Sequence, residues 1–559
     1  MKDFLSHILA VILPLSFILS GCEKEYVDAQ QEDKRPAVYL ELIKAYEEDA
    51  AIEAVEFQTS CCVITFEDGY RLTVSDSVLD IRDCSASEPA TVQVVNGWWS
   101  INGIVKGIRA DDSQPRKDAE PVYQYYDGWT LHMILSNREE LVFRSLAWEE
   151  YERQQAELAR KQTIPVVRIL TDGGAGIYDK QNYVPGTITI EDPVRMYSDD
   201  TLFVSRMGIR GRGNSTWSWE KKPWKVKLED KAGILGMPKD KEWALLANYA
   251  DRTLLRNIVA MKLSEICGFS WTPRIRSVEV YLNDDYQGVY SICEHKKVSS
   301  DRVDIDVIEE TVTEGDALTG GYYLEMEENQ DETTCWWTAM GVPMMFSEPE
   351  VPNEAQYAYV TGLIDEFETV LRSEGFADSL TGYAAYIDVP SFINYFIVQE
   401  LTKNVDGNLR KSSFITKERG KKMEMYHLWD FDLTLGNCGY FDWRVGNGPE
   451  NFWVRDYASN STYGGGWFWY LFRDPAFVEA VRERWNELMP ELESIPYFID
   501  DQALSLEKAA ERNFQKWDIN ASVDWVMFPS LGSYEAEVKY LKDFYTARLG
   551  WLDRELKKL

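Results

Sequence analysis

The sequence predicts an α+β chain, with a small all-β module followed by a larger domain whose β-rich half precedes a helix-rich half. Short β-prone runs broken by Asp68-Gly69 and Asn96-Gly97 turns occupy residues 37–146. Alternating strands then dominate from residue 163 to about 330, and amphipathic helical periods such as "YAYVTGLIDEFETVLR" and "DPAFVEAVRERWNELMPELESI" dominate after that. A chain of 559 residues with 45% hydrophobic and 13% aromatic content can bury large cores. Its 59 basic against 93 acidic residues give a formal charge of −34, which argues against nucleic acid as a partner and against broad attraction to anionic lipid.

The elements follow in chain order. Met1-Lys2, the apolar run "FLSHILAVILPLSFIL" and then "SGC" read as a signal peptide over residues 1–21, too short to serve as a span. The ending Leu19-Ser20-Gly21-Cys22 resembles the bacterial lipobox, which implies cleavage before Cys22 and lipidation of its thiol. Residues 22–36 are polar and form a tether, whose acidic start resembles the surface-export signals of Bacteroidetes lipoproteins. The expectation is an outer-membrane lipoprotein of the cell envelope, exposed at the surface and held by its lipid alone. The β module resembles the accessory modules of such lipoproteins and serves as a spacer. A charged helix over residues 147–162 connects it to the second domain, 163–559.

That domain carries a basic Gly-rich turn, "RGRGNSTW", followed by the strand "WKVKLE". Loops of this kind offer backbone N–H groups and guanidinium to phosphate. In so acidic a chain, the concentration of Arg206, Arg210, Arg212, Lys221, Lys222, Lys225 and Lys227 marks a place for an anion. Lys225 and Lys227 share one side of their strand, opposite Val226, whereas Lys221 is expected to be solvated. A helix, "DRTLLRNIVAMKLSEICGF", and a hairpin turning at Asn283 to Asp285 come next, and Glu294 ends the hairpin.

Acids gather in the helix-rich half. Asp406 follows a helix ending near Lys403, a strand "SSFITK" comes after it, and a second, apolar strand carries Asp430 and Asp432 in "HLWDFDLTLGN". Buried carboxylates are costly unless paired or bound to a cation, so this stretch reads as a metal site. Phosphoryl transfer needs such a set: carboxylates for metal and acceptor, a lysine and loop amides for phosphate. The seven cysteines beyond Cys22 show no CxxC spacing, so zinc is not supported, and with only four His in the chain, His295 and His427 read as structural.

Taken together, "RGRGNSTW", "KKPWKVKLE", "LLANYADRTLLRN", "YQGVYSICEHKKV", "GGYYLEME", "ELTKNVDGN" and "WDFDLTLGN" resemble, in order, the spore coat protein H (CotH) kinase family, which is related to atypical protein kinases. The resemblance implies a bilobal kinase-like fold over residues 163–559, with ATP and Mg²⁺ or Mn²⁺ as cofactors and protein Ser or Thr as acceptor. It implies Asp406 as the catalytic-loop acid, Asp430 as metal ligand and Asp432 as a second ligand. Arg212, Asn214 and Ser215 would line the phosphate loop, Lys227 would pair with phosphate with Lys222 as runner-up, and Glu294 would face the nucleotide or pair with that lysine. The sequence departs from kinases after Asp406: "DGNLRKSS" places Lys411 and Ser412 where a metal-binding Asn is common, and the nearby Asn408 comes earlier. The alternatives are a nucleotide-binding pseudokinase or a structural or adhesion surface lipoprotein and, third, a glycan-active protein, since paired carboxylates also serve glycoside hydrolysis.

Overall fold

The computed structural model describes residues 37–559 except 49, 59–60, 76–91, 102, 111–118, 120, 127–128, 329–333, 406, 440–447, 458–465 and 522–525. The chain divides into two compact units, Met1–Ala156 and Glu157–Leu559.

In the first unit, three antiparallel sheets follow one another: β1–β3 (Ile52–Gln58, Cys61–Phe66, Arg71–Ser75), β4–β6 (Val92–Val95, Trp98–Ile101, Ile104–Arg109) and β7–β9 (Pro121–Tyr126, Thr130–Leu135, Glu140–Arg144). Asn96 and Gly97, with φ of 52° and 81°, close the β4–β5 hairpin as the two-residue turn that an Asn-Gly pair favours. Helix α1 (Ala37–Glu47) precedes the sheets and was not expected. Its Leu42, Ala45 and Tyr46 recur at helical spacing and pack with Ile52, Phe66 and Leu131, so one apolar face accounts for it. Helix α2 (Leu146–Lys161) follows the sheets.

The second unit opens with a closed barrel of seven strands: β10 (Val166–Thr171), β11 (Val184–Glu191), β12 (Leu202–Gly211), β13 (Trp224–Ala232), β14 (Asp240–Leu246), β15 (Ile275–Leu282) and β16 (Asp285–Glu294). Alternation sends Val167, Ile169, Ile188, Ile209, Val226 and Trp243 inward. The same alternation leaves Lys225 and Lys227 together on the outer face of β13, with Val226 between them pointing in. The β15–β16 turn falls at Asn283 and Asp284, both at positive φ. Helix α3 (Arg256–Cys267) crosses between β14 and β15.

Beyond the barrel a second sheet runs β18-β19-β17-β20-β21, built from β17 (Tyr322–Met326), β18 (Cys335–Trp337), β19 (Pro343–Glu348), β20 (Ser413–Lys417) and β21 (Glu424–Leu428). Among the described residues, seven helices accompany it: α4 (Glu354–Leu371), α5 (Val389–Thr402), α6 (Val454–Tyr457), α7 (Trp467–Leu471), α8 (Pro475–Leu492), α9 (Ile495–Lys516) and α10 (Tyr534–Leu556). Asp388 caps α5 through the Ser391 N–H, and Asp474 caps α8 through the Ala476 N–H. Apolar faces of α3, α4, α5, α8, α9 and α10 meet one face of this sheet in the largest core. Among the described residues, no helix is long and apolar enough to cross a membrane. The lipidation candidate Cys22, with its signal peptide and tether, lies outside the described residues.

Candidate functional site

The Gly-rich turn joins β12 to β13, which pair from Met207–Leu228 up to Gly211–Trp224. Gly213 has φ 83°, and a Cβ there would meet Thr216 Oγ1 at 2.0 Å, so the tight turn excludes a side chain at this position. Asn214 and Ser215 stand exposed at its tip. Arg212 turns the other way, half-buried, with its guanidinium over the Trp429 ring at 5.7 Å. Burial lowers its pKa, while the Cys293 thiol and the carboxylates of Asp430 and Asp432 oppose that. The basic turn and the acidic segment, more than 200 residues apart in sequence, therefore meet at Arg212.

The lysines divide by register. Lys227 is half-exposed, and its Nζ lies 3.9 Å from Glu242. Lys225, one step nearer the turn, is 13% exposed and sits 3.2 Å from the same carboxylate. Burial lowers the Lys225 ammonium, and Glu242 works against it. Lys225 also faces His295: burial holds that imidazole well below its usual range, and the charges of Lys225, Arg212 and Lys296 push the same way. Lys296 pairs with Glu325 of β17 and lies over the Phe414 ring at 4.6 Å. Arg212 and Lys225 of the basic turn thus act on His295 together with its chain neighbour Lys296.

Three expectations are corrected here. Lys221 is not solvated: it is 2% exposed, donates to Val289 O at 2.6 Å and Asn513 Oδ1 at 2.9 Å, and lies over the Tyr290 ring. Glu294 does not pair with the strand lysine, because its buried carboxylate is taken by Arg274 at 3.1 Å and approached by Arg302 at 3.9 Å; Glu242 pairs with the lysines instead. Asp430 does not lie inside a strand or in the core. Strand β21 ends at Leu428, and Asp430 follows in an exposed position at φ 65°. The strand stops because Phe431 N–H turns to donate to Asn257 Oδ1 of α3 at 2.8 Å, while the Phe431 ring enters the core. Lys222, the runner-up lysine, donates to Trp217 O at 2.9 Å within the turn.

The acidic segment is pinned from both sides. Arg256 of α3, in a buried ion pair with Asp251, donates to Thr434 O at 2.9 Å. Asn437 Nδ2 bridges Ala250 O and Asp432 O at 2.7 and 2.8 Å. Gly436, at φ 81°, presses so closely on α10 that a Cβ would meet Tyr540 Oη at 2.6 Å. Asp432 is half-buried, and Asp430 lines a small cavity with Trp429, Cys293 and Asn257.

After α5, Lys403 takes φ 50° and starts an irregular loop in which Asn408, Leu409 and Ser412 also adopt positive φ. A run of such residues costs free energy and persists where surrounding contacts fix it. Asn404 Oδ1 accepts from Gly407 N–H at 3.1 Å, Tyr395 Oη accepts from Leu409 N–H at 3.1 Å, and Arg410 pairs with Glu328 at 2.7 Å. Asn408 is buried, yet among the described residues its Oδ1 has no hydrogen-bond partner. Asp406 lies outside the described residues.

Among the described residues, no three His, Cys, Asp or Glu side chains gather as a metal cluster. The oxygen donors of the acidic segment are Asp430 and Asp432 and, more than 20 residues earlier in the chain, the buried amide oxygen of Asn408, hard ligands of the kind that suit Mg²⁺. Arg212, Lys225 and Lys296 suit phosphate oxygens. The donor set is therefore chemically fit for a metal-bound polyphosphate.

Sequence reasoning named Lys225 in the basic cluster but preferred Lys227, and it missed Glu242, Lys296, Glu325 and the pins Arg256 and Asn257. Arg256 and Asn257 sit inside "LLANYADRTLLRN", whose polar residues within an apolar helix start were the available signal. The model of the CotH kinase protein family matches residues 209–552, more than half the chain, from the β12 strand to α10. No curated protein matches the chain.

Proposed function

The chain belongs to the CotH kinase protein family, and from that premise we propose that it is an atypical protein Ser/Thr kinase with a bilobal kinase-like domain, transferring phosphate from ATP to protein at the bacterial cell envelope. The observation that carries the proposal is the meeting of Arg212 with Trp429, Asp430 and Asp432, which sets an anion-binding turn beside two carboxylates.

In this reading Arg212 and Lys225 neutralise phosphate oxygens, with Glu242 holding Lys225 in place. Asp430 and Asp432, with Asn408 Oδ1, hold Mg²⁺, and the left-handed backbone at Asp430 turns its carboxylate away from the core into the open site. Bound Mg-ATP supplies the electrophilic phosphoryl group. Asp406 orients the acceptor hydroxyl and takes its proton. Cys22 carries a lipid that holds the protein at the envelope, in the manner of Bacteroidetes surface lipoproteins.

Calorimetric titration with Mg-ATP tests the site. Asp430→Asn should lose Mg²⁺-dependent nucleotide binding while keeping its melting temperature, since the side chain is exposed. Asp406→Asn should bind normally and transfer phosphate about 10²-fold or more slowly. If Asp430→Asn binds nucleotide as the wild type does, the metal-site assignment fails. Membrane fractionation of Cys22→Ser tests the anchor separately, with release or an uncleaved precursor expected.

A further inference from the structure

The connection between β10 and β11 is tied to the Gly-rich turn and to the end of β12 at three points. The Gly211 N–H donates to Asp179 O at 2.9 Å, the Arg210 guanidinium donates to Lys180 O, and the Lys180 ammonium donates to Gly213 O at 3.0 Å. The connection is itself fixed at this place. Asp179 Oδ1 accepts from the Gln181 and Asn182 N–H groups at 2.8 and 2.6 Å, and Arg210 lies over the Tyr183 ring at 4.9 Å. Lys180 is half-buried, and the carbonyl it holds immediately precedes the exposed Asn214 and Ser215.

The peptide between Gly213 and Asn214 is one that the residue types alone leave able to face either way. Turning it over changes ψ of Gly213 and φ of Asn214. Gly accepts nearly any such change, and Asn, now at φ −94°, tolerates positive φ better than most residues. The two faces of the peptide are opposite in charge. A trans peptide carries its C=O and N–H on opposite sides, so with Gly213 O on the Lys180 ammonium the Asn214 N–H points away from the β10–β11 connection. Among the described residues that N–H has no hydrogen-bond partner. An anion on such a turn is bound by N–H groups, and the inverted peptide would present a carbonyl oxygen in their place.

We propose that Lys180 is the positioning residue of the anion-binding turn: by holding the Gly213 carbonyl it keeps the Asn214 N–H available to a phosphate oxygen of the ligand. Lys180 acts through the backbone and does not touch the phosphate. The inference rests on the reading of the turn as a phosphate site, and it adds to Arg212 and Lys225 a third basic residue with a different task.

The test is calorimetric titration of the full chain with Mg-ATP and with magnesium tripolyphosphate, which has neither base nor sugar. Lys180→Met should weaken both ligands about tenfold, the size of one lost hydrogen bond to a charged group. Its melting temperature should match that of the wild type, since the side chain is only half-buried. Lys180→Arg, which keeps the charge and the donors, should stay within about threefold of the wild type. A double-mutant cycle with Asn214→Ala then separates positioning from contact. Alanine disfavours positive φ more strongly than asparagine and so holds the peptide in place by itself. Whatever Asn214→Ala costs alone, adding Lys180→Met to it should cost about twofold at most. Equal losses from Lys180→Met in the two backgrounds would mean direct contact with phosphate and would overturn the proposal, as would a folded Lys180→Met protein that binds like the wild type. In both of those outcomes the wild type still binds, and the phosphate reading of the turn stands. A wild-type protein that binds neither ligand would overturn that reading and this inference together.

Discussion

The basic turn of residues 211–227 and the acidic segment of residues 403–437 supply opposite halves of the candidate site, and they are held by different means. The turn hangs between two strands of a closed barrel, so ladder register decides which side chains face out, and Lys225 and Lys227 follow from alternation. The acidic segment has little regular structure around its acids. Its residues at positive φ are fixed by side chains reaching in from other elements: Asn257 and Arg256 from α3, Tyr395 from α5, and Tyr540 packed on Gly436 from α10. Backbone pairing positions the first half, and single hydrogen bonds to buried side chains position the second. The second half is therefore more sensitive to single substitutions.

The largest effect follows from removing a pin. Arg256→Met deletes a guanidinium that is 1% exposed, leaves Asp251 without its ion-pair partner and frees the Thr434 carbonyl. Breaking one side of a buried pair costs about 3–5 kcal/mol, so urea unfolding should show a loss of that size and the residual folded protein should bind Mg-ATP weakly. A loss under about 1 kcal/mol would mean that α3 does not hold the segment.

His427, three residues before Asp430, gives a pH test of the same half. Its Nδ1 donates to Leu428 O at 3.1 Å, which fixes the tautomer, so Nε2 accepts from Tyr323 Oη at 2.7 Å. Burial pulls its pKa down to about 3; the Leu428 bond opposes this, and the charge of Lys296 adds to it. The folded value lies below the ordinary value near 6.5, so the unfolded chain binds the proton first. The stability is present in full above about pH 6.5 and is lost as pH falls toward 3, by on the order of 1.4 kcal/mol per unit inside that window. His427→Gln should remove this part of the slope. Identical acid slopes for the two proteins would show that the imidazole is not held neutral.

The comparison also explains what the sequence made legible. The strand "WKVKLE" and the long amphipathic helices could be read because their periods report which face is buried, the Asn96-Gly97 hairpin because of its turn residues, and "SSFITK", buried along its whole length, only as a short β-prone run. The approach of Arg212 to Asp430 could be anticipated only as chemistry, since nothing local in either stretch encodes the other. Asp430 was misplaced because its apolar neighbours look like a strand, whereas Asn257 turns the backbone at Phe431. The closure of the barrel and the choice between Lys225 and Lys227 depend on long-range register and on Glu242 across the ladder. A single-sequence period does not report either.

That choice can be sharpened by measurement. Lys225 is the more buried of the pair and the one whose charge, like that of Arg212, acts on His295, so Lys225→Ala should weaken Mg-ATP binding about tenfold, as expected for losing one charge-assisted contact to phosphate. Lys227→Ala, at the exposed rim, should change it about twofold at most and lose that effect in high salt. Equal losses in the two variants, or a larger loss for Lys227→Ala, would reverse the assignment.

The smallest effect is expected at Lys221, at the other end of the basic turn. Its ammonium has two oxygen acceptors and an aromatic face but, among the described residues, no carboxylate, and burial drives its pKa well below the usual lysine value. A buried charge without an opposite charge gains little from being charged. Lys221→Met fills a similar volume, and Asn513 Oδ1 keeps its bond from the Val289 N–H at 3.0 Å, so stability at neutral pH should change by no more than about 1 kcal/mol. The sign with pH is defined: because the folded pKa is lowered, the unfolded chain binds more protons in the window up to about pH 10.4, and wild-type stability rises with pH across it. The methionine variant should lack that rise, so its stability relative to wild type should be highest at the acid end of the window and fall toward alkaline pH. Nucleotide affinity should be unchanged, because Lys221 faces Asn513 and Tyr290 and not the cluster around His295. A loss of more than about 2 kcal/mol at neutral pH, or a drop in Mg-ATP affinity matching that of Lys225→Ala, would show that this ammonium acts in the site after all.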